Sequence, residues 1–397
     1  MQQRPHTNVS SPPKPKFEWK KIRRGTQSHP GEWVVERIIF LVSLSAILVV
    51  FLIFLFVARE ALPILTGRIT TVANQNVIPP EKMDSLKPEE LREYLGLTKD
   101  EFKDKDRETL KLLMEVRVDA AKEAPVDQDS GLNTVGWRSL LLPHRWTGLP
   151  KPAYVWSPTS DVPKFNLVPL FVGSLKTTFV ALLFAVPIAL GSALYVSQLA
   201  PVRLREWLKP LIEMLSGIPS VVLGSFALLV MAPFLEHLLR LPTMLNAFVA
   251  GLALGLTCVP VIFSIAEDAI SSVPSSYSQA ALALGASRWR AAWDVVTPAA
   301  LPGIFAAVIL GFGRAIGETM VVLIASGNAA QLSGSLFDSA RTVTATIAAE
   351  LAEAVFGSPH YRVLFLLGTL LFGITFISNL AGQMIVSALK NRLEGKR

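Results

Sequence analysis

Two oppositely charged residues, Arg314 and Glu318, lie four positions apart in an otherwise uncharged, apolar stretch at 299–320. A charge at the centre of a bilayer costs about 2.5–3.5 kcal/mol, so both side chains must face a protein partner or water rather than lipid. A guanidinium donates two parallel hydrogen bonds to an oxyanion, which makes Arg314 a candidate anion-binding group. This spacing therefore indicates recognition of an anion inside an apolar layer.

The pairing of these two residues has two interpretations. Residues four apart on a helix share one face, so Glu318 can neutralise Arg314. One hypothesis is a switch, in which the pair opens and releases Arg314 to receive an oxyanion. The other is a permanent ion pair that holds this helix against a second subunit. Thr319 offers a hydroxyl that either lines the same path or bonds to its own helix backbone.

A second group of candidate residues is Ser216, Gly217 and Pro219, in the sequence SGIPS at the start of an apolar run. Glycine and proline weaken a helix and free backbone polar groups. Inside a membrane such groups are tolerated only where protein or a wet cavity satisfies them. We predict that these residues form a gate or cavity element, with a plain helix kink as the alternative.

A third candidate is the stretch 277–298, which is rich in Ala, Leu and Trp but too polar to cross a bilayer. We predict a short helix lying at the membrane surface, at about 275–298. Its small residues Ala280, Ala281 and Gly285 would let another protein surface approach closely. The alternative is an amphipathic helix that only lies in the lipid interface.

Composition indicates an integral membrane protein, because 51% of the 397 residues are hydrophobic and only 17% are charged. The single cysteine, Cys258, excludes an intramolecular disulfide, and the five histidines show no metal-ligand spacing. No phosphate-binding G-x-x-x-x-G-K-[ST] loop occurs in the sequence. We therefore expect this chain to bind no cofactor and to perform no covalent chemistry, so that any nucleotide energy comes from a partner.

The apolar segments predict six spanning helices, each near the length of about 20 residues that a bilayer needs. Their predicted ranges are 38–58, 167–199, 214–235, 244–265, 302–324 and 363–389. A cleaved signal peptide is the alternative for the first segment, but the apolar core of such a peptide usually has only about 7–15 residues. Five of the six helices thus fall within 167–389, which is predicted to be the core of the protein.

The remaining segments are polar. Residues 1–37 are predicted to be a disordered basic tail, and 390–397 a second short tail. The hydrophilic insert 59–166 is predicted to lie outside the cell, with two short amphipathic helices within 85–122. It either grips a partner or forms a solvated cap. Four aromatic residues of the insert are predicted to lie at the bilayer interface: Trp137, Trp146, Tyr154 and Trp156.

The basic residues predict the orientation, because cytoplasmic loops of membrane proteins carry an excess of Lys and Arg. The short outer loop between the third and fourth helices has only Arg240. The segments assigned to the inside contain Arg203, Arg205, Lys209, Arg288, Arg290, Lys390, Arg392, Lys396 and Arg397. We therefore predict that both termini and the surface helix are cytoplasmic. The formal net charge of +7 then reflects topology and needs no nucleic-acid partner.

The stretch QAALALGASRWRAAWDVVTP resembles the cytoplasmic coupling loop of ABC importer permeases, whose pattern is E-A-A, three residues, G, nine residues, I-x-L-P. Ala280, Ala281, Gly285 and Pro298 match this pattern at the right spacing. Gln279 replaces the Glu of the family, which removes the charge that a salt bridge would need. The resemblance implies that the segment from Gln279 to Pro298 couples the chain to an ATPase.

Two further stretches, SGIPSVVLGSF and GRAIGETMVVLIASGN, are similar to the PstC-type permeases of phosphate-specific (Pst) ABC importers. This resemblance covers the first helix and residues 167 onwards, but not the insert. It implies an inner-membrane complex with a second permease subunit (PstA type) and two ATP-binding subunits (PstB type), which bind ATP and magnesium. A phosphate-binding protein (PstS type) would dock outside, and lipid would surround the helices.

The prediction from sequence is thus an all-α integral membrane protein with six transmembrane helices, the fold of a type I ABC importer permease. Its predicted function is the inward transport of inorganic phosphate by alternating access. Three alternatives stay open: transport of another oxyanion such as sulfate or molybdate, a secondary carrier without an ATPase, and a membrane scaffold of a phosphate-sensing complex.

Overall fold

The computed structural model describes residues 30–65, 91, 106–107, 109–113, 136–146, 149, 151–160 and 163–393. The predicted basic tail lies almost entirely outside these residues, as do most of the insert and its two predicted amphipathic helices. The chain divides into two compact units, Met1–Leu55 and Phe56–Arg397. The first helix begins in the first unit and ends in the second.

Eleven helices and one two-stranded sheet have defined bounds in the described part of the chain. In chain order they are α1 (Pro30–Leu65), α2 (Trp137–Leu141), β1 (Trp156–Ser157), β2 (Lys164–Phe165), α3 (Val168–Leu194, extended by a π-helical turn at Tyr195–Leu199), α4 (Val202–Met214), α5 (Ser220–Leu239), α6 (Ala247–Ser271), α7 (Ser275–Ala283), α8 (Arg288–Gly317), α9 (Met320–Ala325), α10 (Val343–Glu350) and α11 (Pro359–Leu393). The strands β1 and β2 pair antiparallel.

Within the described part of the chain, six helices are long and apolar enough to cross a membrane, namely α1, α3, α5, α6, α8 and α11. This confirms the prediction of an all-α protein with six spans. Helix α1 is longer than predicted at both ends, because it begins at Pro30 and continues through the charged Arg59 and Glu60 to Leu65. Its last part belongs to the second unit, where Ala61 and Ile64 are buried in one cluster with residues of α11.

Helix α6 is the most buried of the six and packs against both α3 and α8. Glycines bring these helix backbones close together. A Cβ atom added at Gly251 would lie 2.5 Å from the Cβ of Val180 on α3, and one at Gly311 of α8 would lie 2.5 Å from Cγ1 of Ile262. Small residues at helix contacts are typical of membrane proteins, in which close van der Waals packing drives association.

The region after α3 differs from the prediction. The sequence predicted no helix between the spans 167–199 and 214–235, whereas the structure forms the separate helix α4 there and starts the third span at Ser220. One edge of α4 packs on the core through Leu208 and Ile212. This packing stabilises a helix that is too short to cross a bilayer.

The predicted surface helix at about 275–298 is two separate helices in the structure. Helix α7 ends at Ala283, and α8 begins at Arg288 and runs without interruption to Gly317. The predicted fifth span, 302–324, therefore starts earlier and ends earlier than expected. Its remaining residues form the separate short helix α9.

Two of the four aromatic residues predicted to be interfacial have a different environment in the structure. Trp146 and Trp156 are buried rather than interfacial, and both indole N–H groups donate hydrogen bonds within the protein. The buried Asn166 fastens this region to the start of α3, because its side-chain amide donates to the carbonyls of Ser139 and Leu142. The described part of the insert is therefore a packed structure.

The buried carboxylate of Glu350, the last residue of α10, joins three separate segments. It receives hydrogen bonds from Trp156 Nε1 at 3.1 Å and contacts Arg341 Nη2 and His360 Nε2, each at 2.8 Å. A buried carboxylate is stable only with such partners, and breaking a buried pair by removing one partner typically costs about 3–5 kcal/mol. Glu350 thus fastens the sheet to α10 and α11.

The loop between α9 and α10 covers the start of α6. The carbonyls of Asp338 and Leu336 accept hydrogen bonds from the N–H groups of Ala247 and Phe248 in the first turn of α6. The same loop lies against α3, where a Cβ at Gly173 would be only 2.2 Å from the carbonyl oxygen of Arg341. Gly173 therefore permits a backbone contact that no other residue type allows.

Replacing Gly173 by Ala is expected to destabilise the protein by about 1–3 kcal/mol, since overpacking of a tight contact forces the backbone to move. Gly191→Ala in the same helix is the matched control, because no atom lies within 4 Å of its Cβ position. There the better helix propensity of Ala makes the change neutral or stabilising by roughly 0.5–1 kcal/mol. The measurement is thermal unfolding in detergent, and equal midpoints for the two variants would contradict the close contact.

Candidate functional site

The helix that carries Arg314 ends just before Glu318. Gly317 is the last residue of α8, and Glu318 has an extended backbone with ψ 140°. The predicted pairing of Arg314 with Glu318 on one helix face is therefore wrong, and no salt bridge joins these two residues in the part of the chain that the structure describes. The prediction needed Arg314 and Glu318 in one continuous helix, and this helix ends at Gly317.

Glu318 and Thr319 instead form the break between α8 and α9. The Glu318 carboxylate accepts a hydrogen bond from the Thr319 N–H at 3.2 Å, and the Glu318 carbonyl accepts one from Thr344 Oγ1 of α10 at 2.7 Å. The Thr319 hydroxyl is 3.5 Å from the carbonyl of Gly317, which is a weak contact. These bonds satisfy backbone groups that the broken helix leaves open, as a membrane interior requires.

Arg314 lies one turn before the break and is exposed in the isolated chain. It borders a groove of about 510 Å³ between α8 and α11, which is lined by Leu310, Gly313, Gly317, Gly368, Leu371, Phe372, Thr375 and Asn379. Among the described residues, none makes a hydrogen bond or ion pair with the guanidinium. All five of its N–H donors are thus available to an anion or to a partner subunit.

Helix α10, which sequence analysis did not predict, supports the break. Thr342 caps its first turn by accepting a hydrogen bond from the Ala345 N–H. The Val343 N–H donates to the Ser174 hydroxyl of α3 at 3.0 Å. A run of Thr and Ala with an N-terminal hydroxyl cap is the sequence signal that would have indicated this helix.

The predicted gate residues lie at the start of α5 and not inside it. Leu215–Gly217 form one 3-10 turn, and Pro219 precedes the first residue of the helix. Ser216, Gly217 and Pro219 are exposed, and the Ser216 hydroxyl donates to the Glu213 carbonyl at 2.6 Å. Helix α5 approaches the break through another residue, because a Cβ at Gly224 would lie 2.9 Å from Cδ1 of Ile324 in α9.

The predicted coupling residues Gln279, Ala280 and Ala281 all lie in α7, which has no buried residue. The next turn is held by two hydrogen bonds, from the N–H of Gly285 to the carbonyl of Leu282 and from that of Ala286 to the carbonyl of Ala281. This is the Schellman pattern, which needs a left-handed residue, and Gly285 has φ +86°. The turn leaves the Leu284 side chain 90% exposed, as expected of a surface that a partner covers.

Pro298 is separated from the other coupling residues and lies within α8, two residues after a π-helical segment at Ala291–Val296. A proline has no N–H and disturbs the preceding turn, and a π-helical segment accommodates that disturbance. The Thr297 hydroxyl donates to the Ala292 carbonyl at 2.9 Å across this wide turn. The structure therefore brings Gln279 to Gly285 together and leaves Pro298 on the next helix.

A cluster of charges on α4 and α6 was not predicted from the sequence. Arg205 and Lys209 were used only as indicators of topology, and the predicted fourth helix ended at Ile265, before the buried Glu267. In the structure both basic side chains contact the Glu267 carboxylate at 2.6 Å. The available signal was the spacing of Arg205 and Lys209, which places them on one face of a helix.

Comparison with known proteins gives the family. Residues 185–391 match the family described as binding-protein-dependent transport system inner membrane component. A probable ABC transporter permease protein YqgH of Bacillus subtilis is 35% identical over 56% of this chain and 72% of its own length. The phosphate transport system permease protein PstC of Mesorhizobium japonicum is 35% identical over 56% and 73%, and that of Pasteurella multocida is 32% identical over 61% and 80%.

Among solved structures, an inward-facing MetNI methionine ABC transporter has a TM-score of 0.44, with 21% identity over 56% of this chain and 95% of its own. An amino acid ABC transporter with histidines has a TM-score of 0.39 and 19% identity. The family match covers more than half of the chain, and several relatives are matched over most of their length at 31–35% identity. The chain therefore belongs to the family of binding-protein-dependent transport system inner membrane components.

Proposed function

We propose that this chain is one membrane subunit of an ATP-driven importer that carries inorganic phosphate into the cell by alternating access. Relatives at 32–35% identity are phosphate transport permeases. The single observation that carries the proposal in the structure is Arg314, a cation without a described partner beside a helix break in an apolar protein. As a member of a transport-component family, the chain is not an enzyme.

Phosphate recognition follows from the chemistry of Arg314. A guanidinium donates two hydrogen bonds to adjacent oxygens of an oxyanion. Glu318 and Thr319 follow Arg314 in the helix break, four and five positions later, and the Glu318 carboxylate accepts a hydrogen bond from the Thr319 N–H. In this proposal Glu318 stabilises the interruption between α8 and α9 and does not neutralise Arg314. Thr319 lines the path beside it.

The partners follow from α7 and from the family. An uncovered helix followed by a tight turn fits docking of an ATP-binding subunit, and Gln279, Ala280, Ala281 and Gly285 are the residues it would contact. We assign ATP and magnesium to two such subunits (PstB type) and none to this chain. A second permease subunit (PstA type) would complete the path, and a phosphate-binding protein (PstS type) would deliver the anion.

The orientation is also part of the proposal. The contacts of Arg205 and Lys209 with Glu267 bring α4 to the end of α6 that leads into α7, so these basic segments share one side. The excess of Lys and Arg on that side assigns it to the cytoplasm. Both termini would then be cytoplasmic, the insert 59–166 would be external, and the turn at 216–219 would serve as an inner gate.

The function is tested by anion uptake into proteoliposomes that contain the whole complex. We expect ATP-dependent uptake of phosphate in excess over sulfate and molybdate. Preference for another oxyanion would support the proposed importer but show that its substrate is not phosphate. Uptake that follows an ion gradient without ATP would indicate a secondary carrier, and absence of any uptake by an assembled complex would indicate a scaffold; both results would refute the proposed function.

Arg314→Gln is expected to lower phosphate uptake by about a hundredfold, because losing one partner of a desolvated charge pair costs on the order of 2–5 kcal/mol. Arg314→Lys is the matched control, since it keeps the charge and loses the two-point geometry, and its uptake should be intermediate. Assembly is measured in parallel by copurification of the subunits. Loss of assembly in Arg314→Gln would support the role of an intersubunit contact instead.

Gly285→Val is expected to uncouple ATP hydrolysis from uptake, because a β-branched residue in the left-handed region costs about 1–3 kcal/mol and would distort the turn after α7. Gly285→Asn is the control, since Asn tolerates this backbone conformation. The measurement is the amount of phosphate taken up per ATP hydrolysed. Normal coupling in Gly285→Val would exclude this turn from the docking surface.

A further inference from the structure

A second buried carboxylate with partners on both oxygens is that of Glu267, near the end of α6. Its side chain is 0% exposed. One carboxylate oxygen, Oε1, accepts hydrogen bonds from Arg205 Nη2 at 2.6 Å and from Ser271 Oγ at 2.7 Å. The other, Oε2, accepts one from Lys209 Nζ at 2.6 Å. A buried carboxylate with charged partners on both oxygens forms a strong, directional contact.

The contact fixes one helix to another. Arg205 and Lys209 lie one turn apart on α4, while Glu267 and Ser271 lie one turn apart on α6, so two turns of each helix are involved. Arg205 Nη2 also contacts Ser271 Oγ at 3.0 Å. The hydrogen bond to Glu267, and a second to Asp268, raise the pKa of Lys209 above its ordinary value, so the amine stays charged. Relative rotation of α4 and α6 would break several of these bonds together.

The position of this contact in the chain gives it a mechanical consequence. Ser271 is the last residue of α6, and α7 with the coupling residues begins at Ser275. At the other side of the contact, α4 ends at Met214 and leads directly into the turn Leu215–Gly217 and then to α5. Glu267 therefore lies between the segment proposed to dock an ATPase and the segment proposed as a gate.

We propose that Glu267 is a positioning residue that makes α4 and α6 move as one body, so that displacement of the coupling helix α7 is transmitted to the gate turn at Ser216–Pro219. This inference rests on the proposed function, because it assigns a route to the coupling between ATP hydrolysis and transport. The neighbouring acid Asp268 has no comparable role. Its side chain is 69% exposed and makes one contact with Lys209, at 3.1 Å.

The test uses the complete transporter in lipid nanodiscs, with spin labels at Glu206→Cys on α4 and at Ser272→Cys, the exposed C-cap residue of α6, in a Cys258→Ser background. With Glu267 intact, the distance between the labels should be the same without nucleotide and with a non-hydrolysable ATP analogue. With Glu267→Gln, the distance should change when the analogue binds. Equal behaviour of the two proteins would overturn the proposal. Because the distance needs no transport, it remains informative even if the transported anion is not phosphate.

The functional readout is phosphate uptake per ATP hydrolysed in proteoliposomes. We expect Glu267→Gln to lower this ratio by roughly tenfold, within the range typical of coupling between sites. Asp268→Asn, which removes a charge from the adjacent exposed residue, should leave the ratio unchanged. An unchanged ratio in Glu267→Gln, or an equal loss in Asp268→Asn, would overturn the proposal.

If Glu267→Gln prevents assembly of the complex, a milder substitution in the same cluster can still test the proposal. Arg205→Gln removes one of the two cations and leaves the contact between Glu267 and Lys209, so the complex should form with a partial loss of coupling. If neither Glu267→Gln nor Arg205→Gln assembles, the cluster has a purely structural role and the proposal is wrong. Wild-type complexes that assemble but transport no anion would refute the proposed function separately.

Discussion

A charged side chain in an apolar surrounding must be paired or must face water, and the architecture of this protein depends on how it meets that constraint. Glu267 and Glu350 are buried and have partners on both carboxylate oxygens. Arg314 has no partner in the described chain and lies in a groove at the protein surface. The paired charges hold segments together, whereas the unpaired one is available to a ligand or another subunit.

Backbone polar groups in an apolar surrounding also need partners. Where α8 ends, the carbonyl of Glu318 accepts a hydrogen bond from the Thr344 hydroxyl. In the first turn of α10, N–H groups donate to the hydroxyls of Thr342 and Ser174. A membrane protein tolerates a broken helix only with such substitutes for the lost hydrogen bonds. The break next to Arg314 is therefore a supported feature of the fold, built from hydroxyl groups on two neighbouring helices.

The sequence predicted what depends on local composition. Uninterrupted apolar runs predicted the six spans that the structure contains. The errors concern residues whose conformation depends on distant partners. Glu318 leaves the helix where Thr344, 26 positions away, bonds its carbonyl. The partners of Glu267 are 58 and 62 positions away, so a helix made of Val202–Met214 could be mistaken for a loop. Periodicity within one segment contains no information about such contacts.

The continuity of α8 has a geometric consequence. From Arg288 to Arg314 the chain advances by about 39 Å, at the usual rise of about 1.5 Å per residue. A rod of that length, tilted by about 10° at one end, displaces its other end by about 7 Å. The wide π-helical turn near its first residues is a natural pivot for such a tilt. A small tilt near the start of α8 therefore moves Arg314, at the far end of the helix, by several ångströms.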